Sequence, residues 1–404
     1  MNKILKYIKN GVFFYHLWYH IFVTWKFYKL YNLISCFDKV KNNKIVFCNY
    51  FGAGYGDNAK YLTEYIIRNK LNFELVWLVN RRRCSNYDDF PKSVRIVDLY
   101  SFRAMKELSS ARIWIDNSRK FFFPNKKTNQ IYIQTWHGML PLKKIEKDAV
   151  NLPKYYVSAA KNDSKIMDAA LSGCEYQSEI YRKSFWYDGE ILNIGTPRVD
   201  IFFNIDHETV KKKITSFCRI TERSKIVLYA PTFRTDCNLN VYNIDYELVL
   251  NTIKKRFGDE WKFAIRLHPN LIEKVSDLKI PEFVLDVTKY PDMQELLCAS
   301  DLVITDVSSL MFDFCLSKRP VFLYINDYED YITKERDLTM SPLDLPFPFA
   351  TNNELLCNNI SKFDESNYLH NLEIFWNKIG LYENGKCCEN IIKFINNFEI
   401  KNAK

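Results

Sequence analysis

Six side chains able to move protons or meet negative charge stand where short apolar runs of this sequence end: His137 in "IYIQTWHG", Arg234 in "YAPTFR", Arg266 and His268 in "IRLHP", and Ser308 and Ser309 in "ITDVSSLMFDF". An imidazole titrates near neutrality, so it serves as a base toward a hydroxyl or, protonated, as a cation toward phosphate. Two of the six histidines end apolar runs in different parts of the chain. Singly, each suits a local strand-end cap. Together they suit a cleft in which one removes a proton from an attacking hydroxyl while the other, with Arg266, stabilises phosphate charge. Ser308 and Ser309 precede a helical pattern; a plain N-cap explains them, and so does a phosphate seat made of helix N–H groups and two hydroxyls. With Arg234 added, such a wall suits a diphosphate.

The glycine-rich stretch "FGAGYGDNAKY" is less specific. Gly52, Gly54 and Gly56 allow a ligand close to the backbone, but the spacing is not G-x-G-x-x-G and no Walker lysine follows, so a tight turn explains it equally well. No D-x-D motif flanks the apolar runs, and no His, Cys or carboxylate cluster has metal spacing. The expectation is phosphate chemistry with no metal site and no cofactor. Neither G-x-S-x-G nor a kinase signature is present, which sets aside serine hydrolases and ordinary kinases.

These groups need a frame that brings distant strand ends together. From Lys44 onward the runs "KIVFCNYF", "ELVWLVN", "SVRIVDL", "ARIWIDNS" and "QIYIQTWHG" alternate with the helical patterns "NAKYLTEYIIRNK" and "FRAMKELSS". Continuous apolar runs between amphipathic helices are the rhythm of a parallel sheet buried on both faces. A less regular stretch, residues 201–224, precedes a second series: "KIVLYAPTFR", "YELVLNTIKKRF", "KFAIRLHP", "FVLDV", "DMQELLCAS", "LVITDVSSLMFDF" and "RPVFLYIND". The pattern predicts an α/β chain of two Rossmann-like domains facing a cleft, residues 41–205 and 220–385, with a final helix in 386–404. His137 then lies at the carboxyl end of a strand, where open α/β sheets bind ligands.

A chain of 404 residues, 47% of them hydrophobic, is long enough for two cores. Eleven cysteines scattered from Cys36 to Cys388, with no C-x-x-C pair and no cleavable signal peptide, suit free thiols in a reducing compartment. The net charge of +9 fits a phosphorylated substrate or anionic lipid; no arginine-rich tail points to nucleic acid, and no such partner is expected. Residues 1–40 join lysines to dense aromatics around an uncharged core of about fourteen residues, short of the ~20 a spanning helix requires. That composition predicts a segment lying on an anionic membrane surface, with an aromatic helix packed on the protein as the alternative.

"QTWHG" with "PLKKI", "GTPRVD", "YAPTFR", "RLHP", and "ITDVSSLMFDF" followed by "RPVFLY" resemble, in this order, the CDP-glycerol glycerophosphotransferase family, the teichoic-acid primases and polymerases and related capsule enzymes. The resemblance covers roughly residues 45–350. It implies a GT-B-like pair of domains attached peripherally to the cytoplasmic face of the cell membrane. It further implies transfer of glycerol phosphate, or a related alditol phosphate, from CDP-glycerol or another CDP-alditol to a lipid-linked glycan or polymer acceptor, with release of CMP. By motif, His137 is the candidate base on the acceptor hydroxyl, and His268 assists the donor's phosphates. Ser308 and Ser309, with Arg234 and Arg266, would hold the diphosphate; Lys143, Lys144 and Arg198 would meet a polyanionic acceptor. A GT-B glycosyltransferase using a UDP- or GDP-sugar is the alternative with the same architecture.

Overall fold

In the computed structural model residues 24–398 are described, apart from 85, 121–123, 151, 235–238, 259, 268–277, 279 and 335–336. The first series of apolar runs forms Lys41–Cys48 (β1), Glu74–Val79 (β2), Arg95–Asp98 (β3), Ala111–Asp116 (β4), Ile131–Gln134 (β5), Ala169–Leu171 (β6) and Glu190–Leu192 (β7). These make one all-parallel sheet in the order β3-β2-β1-β4-β5-β6-β7. The second series forms Lys225–Ala230 (β8), Trp261–Ile265 (β9), Leu285–Asp286 (β10), Leu302–Thr305 (β11), Val321–Tyr324 (β12) and Phe349–Ala350 (β13). Their sheet is also parallel, in the order β10-β9-β8-β11-β12-β13. Residues of β5 and β11 are buried from end to end, because helices cover both faces of a parallel sheet and leave no face for polar side chains.

Each sheet changes its direction of growth once, between β1 and β4 and between β8 and β11. Loops leaving neighbouring strands diverge at such a point and open a crevice at the carboxyl ends. The chain does not divide cleanly at its termini. The final helix, Cys387–Asn397, returns to the first domain, where the Asp200 carboxylate accepts the N–H groups of Cys387 and Cys388 at 3.1 and 2.9 Å. A carboxylate at the positive end of a helix is favourably placed.

At the other terminus, the reading of residues 1–40 as a segment apart from the domains needs correction in its second half. Thr24–Phe37 is a helix that packs on the Phe102–Ser110 helix, with Tyr31 fully buried edge-on to Trp114 (ring centroids 6.4 Å apart). Ile34 and Ser35 are buried beside it, so this face belongs to the first core. Residues 1–23, which carry most of the expected membrane segment, lie outside the described residues. Among the described residues no helix is long and apolar enough to cross a membrane.

Candidate active site

β5 stops at Gln134, and two residues later the chain turns through Trp136 at φ 50, a left-handed conformation uncommon for an aromatic residue. Several contacts impose it. Gln134 Oε1 accepts the Trp136 N–H at 3.1 Å, and Asn58 Nδ2 donates to the Trp136 carbonyl at 2.9 Å. Trp136 packs on Phe185 (4.8 Å) and over the buried Arg119 guanidinium (5.9 Å), which is itself paired with Glu146 (2.9 Å) and Asp163 (3.3 Å). Strain held this firmly by its surroundings is a mark of a functional turn.

The turn sets His137 at the cleft edge, half-buried, stacked on Trp136 (4.3 Å) and tilted against Tyr50 (5.4 Å). Its Nδ1 lies 2.8 Å from the Asn117 carbonyl oxygen, which can only accept, so Nδ1 carries the proton and Nε2 is the basic nitrogen. Asn117 is fixed in turn, accepting the Tyr50 N–H (2.7 Å) and donating to Asn49 Oδ1 (2.6 Å). Burial lowers the His137 pKa; the Asn117 carbonyl and Asp57 oppose that only in part, and the imidazole stays below its ordinary value. It is therefore a neutral base at neutral pH.

The facing wall comes from the loops after β8 and β11. Asp306 accepts the Thr232 N–H with both carboxylate oxygens (3.0 Å each) and the Thr232 hydroxyl at 2.8 Å, tying the two loops together. Ser309 occupies the N-cap position of the Leu310–Cys315 helix, yet its side chain makes no capping bond. Capping therefore does not account for its hydroxyl. His137, Gly138 and Lys143 of the first domain and Thr232, Ser308 and Ser309 of the second line one cleft of about 180 Å³, with Trp136, Leu140 and Val307 among its apolar walls. A Cβ placed on Gly138 would lie 3.8 Å from Ser309 Oγ, so the domains meet at contact distance beside the histidine.

Other expected site residues stand elsewhere. Arg234 is buried and committed: Nε and Nη2 grip Asp327 at 2.7 and 2.9 Å, and Nη1 reaches Thr232 Oγ1 (2.7 Å) and Asp306 (2.8 Å). It holds the loop that presents Thr232 rather than offering a cation to the cleft. Arg198, expected at an acceptor, is likewise buried between Asp57 (2.8 Å) and Asp313 (2.6 Å), where two carboxylates already balance its charge. Arg266 is not among the cleft-lining residues; its Nη1 donates to the Tyr290 carbonyl at 2.6 Å. Lys144 pairs with Asp337 at 3.0 Å outside the cleft, whereas Lys143 lines it with its ammonium 5.8 Å over the Tyr331 ring. His268 lies outside the described residues. In the glycine loop, Gly52 has φ 83 and a Cβ there would sit 2.4 Å from the Asn80 nitrogen, a close approach that a tight turn requires.

Sequence reasoning passed over Asp57, Asn58, Asn117, Thr232 and Asp313. Their common signal is a short polar side chain directly after an apolar run or at a helix start, as in "YGDNAKY", "IDNS" and "APT".

Residues 30–397 match the family model of CDP-glycerol:poly(glycerophosphate) glycerophosphotransferases. The chain belongs to this family. Among its curated members, the teichoic acid poly(glycerol phosphate) polymerase of Staphylococcus epidermidis is 33% identical over 377 residues, covering 90% of this chain and 52% of that protein. The teichoic acid glycerol-phosphate transferase of Staphylococcus aureus is 28% identical over 384 residues, covering 91% of this chain and 97% of that one. Among solved structures, a histidine-to-asparagine variant of the wall teichoic acid polymerase TagF soaked with CDPG superposes with a TM-score of 0.77 at 31% identity, over 98% of this chain and 96% of that one. The chain spans about half the length of the first two polymerases it matches.

Proposed function

We propose that this chain is a GT-B-like glycerophosphotransferase that moves glycerol phosphate from CDP-glycerol to a hydroxyl of a membrane-bound teichoic-acid or related surface polymer, releasing CMP. The observation that carries the reading is one cleft lined by the His137 imidazole from the loop after β5 and by three hydroxyls from the β8/β11 side. In this reading the acceptor hydroxyl gives its proton to His137 Nε2 as its oxygen attacks the phosphorus nearest the glycerol. The bond from that phosphorus to the bridging oxygen breaks and CMP leaves. Ser308, Ser309 and Lys143 would hold the phosphate oxygens, and His268 keeps the phosphate role its motif implies. Membership of the family and the CDPG-soaked relative support the donor.

Peripheral attachment at the cytoplasmic face is part of the proposal. It is supported by the outer face of the Thr24–Phe37 helix, where Leu30, Leu33 and Phe37 are exposed along a stripe bordered by the buried Ile34, with the buried Tyr31 turned away from it. Apolar side chains at this spacing form one stripe of a helix suited to an interface. A donor screen tests the whole reading: radiolabelled CDP-glycerol, CDP-ribitol, UDP-sugars and GDP-sugars incubated with a membrane extract. CDP-glycerol should label polymer. Labelling from a UDP- or GDP-sugar with both CDP-alditols inert would overturn it.

A further inference from the structure

We propose that Arg198 is a positioning residue for the transfer: it ties the peptide of His137 to Asp57 in the first domain and to Asp313 in the second, and so fixes the base against the facing wall. The role rests on the reading of His137 as the base. Arg198 Nη1 donates to Asp57 Oδ2 (2.8 Å) and to the His137 carbonyl (3.0 Å), while Nη2 donates to Asp313 Oδ2 at 2.6 Å. Its own N–H goes to Asn58 Oδ1 (3.1 Å), whose amide holds the Trp136 carbonyl. Asp313 lies on the short helix that follows Ser308 and Ser309, and Gln294 braces it at 2.9 Å. One planar guanidinium thus contacts the base's peptide, the helix after the glycine loop, and the helix after the donor serines. A lysine ammonium is a point charge without that fork. Buried ion pairs contribute little net stability after desolvation, and their best-attested use is to fix register.

The network also sets the charge around the imidazole. Among the described residues, Tyr50 on the loop after β1, Asp57 at the start of the following helix, Arg198, and Lys143 in the same cleft are titratable groups near it. Burial would raise the Asp57 carboxyl, but Arg198, the Asn58 N–H and His137 outweigh it and hold it below the usual carboxylate range. Asp57 favours the protonated imidazole and Arg198 opposes it. Removing either charge should therefore move the histidine's titration, which loss of a brace remote from the imidazole would leave in place.

The test uses Arg198→Lys, Arg198→Met and Asp57→Asn in the full chain. Transfer kinetics are combined with NMR titration of the His137 ring, assigned by its loss in His137→Gln. Arg198→Lys should lower kcat on the order of 10²-fold, the cost of a misplaced base, with KM for CDP-glycerol within about threefold of wild type. Its His137 midpoint should stay near wild type. In Arg198→Met the midpoint should rise, and in Asp57→Asn it should fall. Should Arg198→Met not fold, Asp57→Asn and Arg198→Lys still decide. A folded Arg198→Lys with wild-type kcat, or an unmoved midpoint in the charge-removing variants that fold, overturns the Arg198 role. A wild-type protein inert toward CDP-glycerol overturns the phosphotransfer reading instead, and the two failures are told apart by the titration, which needs no turnover.

Discussion

Replacing His137 by alanine removes the only imidazole among the described residues that lines the cleft, and the size of the effect follows from its geometry. The Nδ1 proton is held by the Asn117 carbonyl at 2.8 Å, so the lost group is a preoriented Nε2 lone pair. A positioned general base is typically worth about 10²–10⁴ in rate, or roughly 3–5 kcal/mol of transition-state stabilisation. The fall should appear in kcat at saturating CDP-glycerol, while donor affinity, measured by calorimetry, stays close to wild type. The pH profile has a defined sign. Because the fold holds the imidazole below its ordinary value, wild-type kcat/KM should be flat through neutral pH and fall only on the acid side of that value. The same shift makes protonation costly to the fold: this contribution to stability is complete above about pH 6.5 and is lost as pH falls toward the folded midpoint. An alanine variant within tenfold of wild type, or an acid limb centred above about 6.5, would refute the assignment.

Ser308→Ala with Ser309→Ala removes two hydroxyls that would bond a charged phosphate, so the KM for CDP-glycerol should rise at least about tenfold with a smaller change in kcat. An unchanged KM would leave the serines without a donor role. Arg119→Met strands the buried carboxylates of Glu146 and Asp163 and should cost roughly 3–5 kcal/mol in urea unfolding, with a loss below about 1 kcal/mol contradicting the ion-pair account. On the Thr24–Phe37 helix, Leu33→Gln with Phe37→Gln should release the protein from anionic vesicles at unchanged stability, because these side chains are 60% and 81% exposed. Tyr31→Ala on the opposite face should instead destabilise by roughly 3–5 kcal/mol, and the reverse assignment of the two effects would sink the two-faced reading.

What the sequence made legible was whatever depends on local pattern. Apolar runs such as "KIVLYA" and "LVIT" marked buried parallel strands, and the polar residue after a run marked a strand end facing the crevice, which placed His137, Ser308 and Ser309 in one cleft. The three-residue strands β6 and β7 were missed because so short a run carries no period. Charge partners were the larger loss. Arg234 and Arg198 read as free cations because their carboxylates lie far away in sequence: Asp306 and Asp327 for the first, Asp57 and Asp313 for the second. Only the fold reveals which cations are already balanced. The first helix misled for a related reason, since the more polar Tyr31 is the buried residue and Leu33 the exposed one, and only packing distinguishes the buried face from the outer one.

The central claim, that a hydroxyl attacks the phosphorus nearest the glycerol and CMP departs, is tested most directly by CDP-glycerol labelled with ³²P at that phosphorus. Wild-type protein should move the label into polymer and release unlabelled CMP in equal amount, and His137→Ala should do neither at a comparable rate. Label recovered in a released nucleotide, with polymer unlabelled, would contradict it.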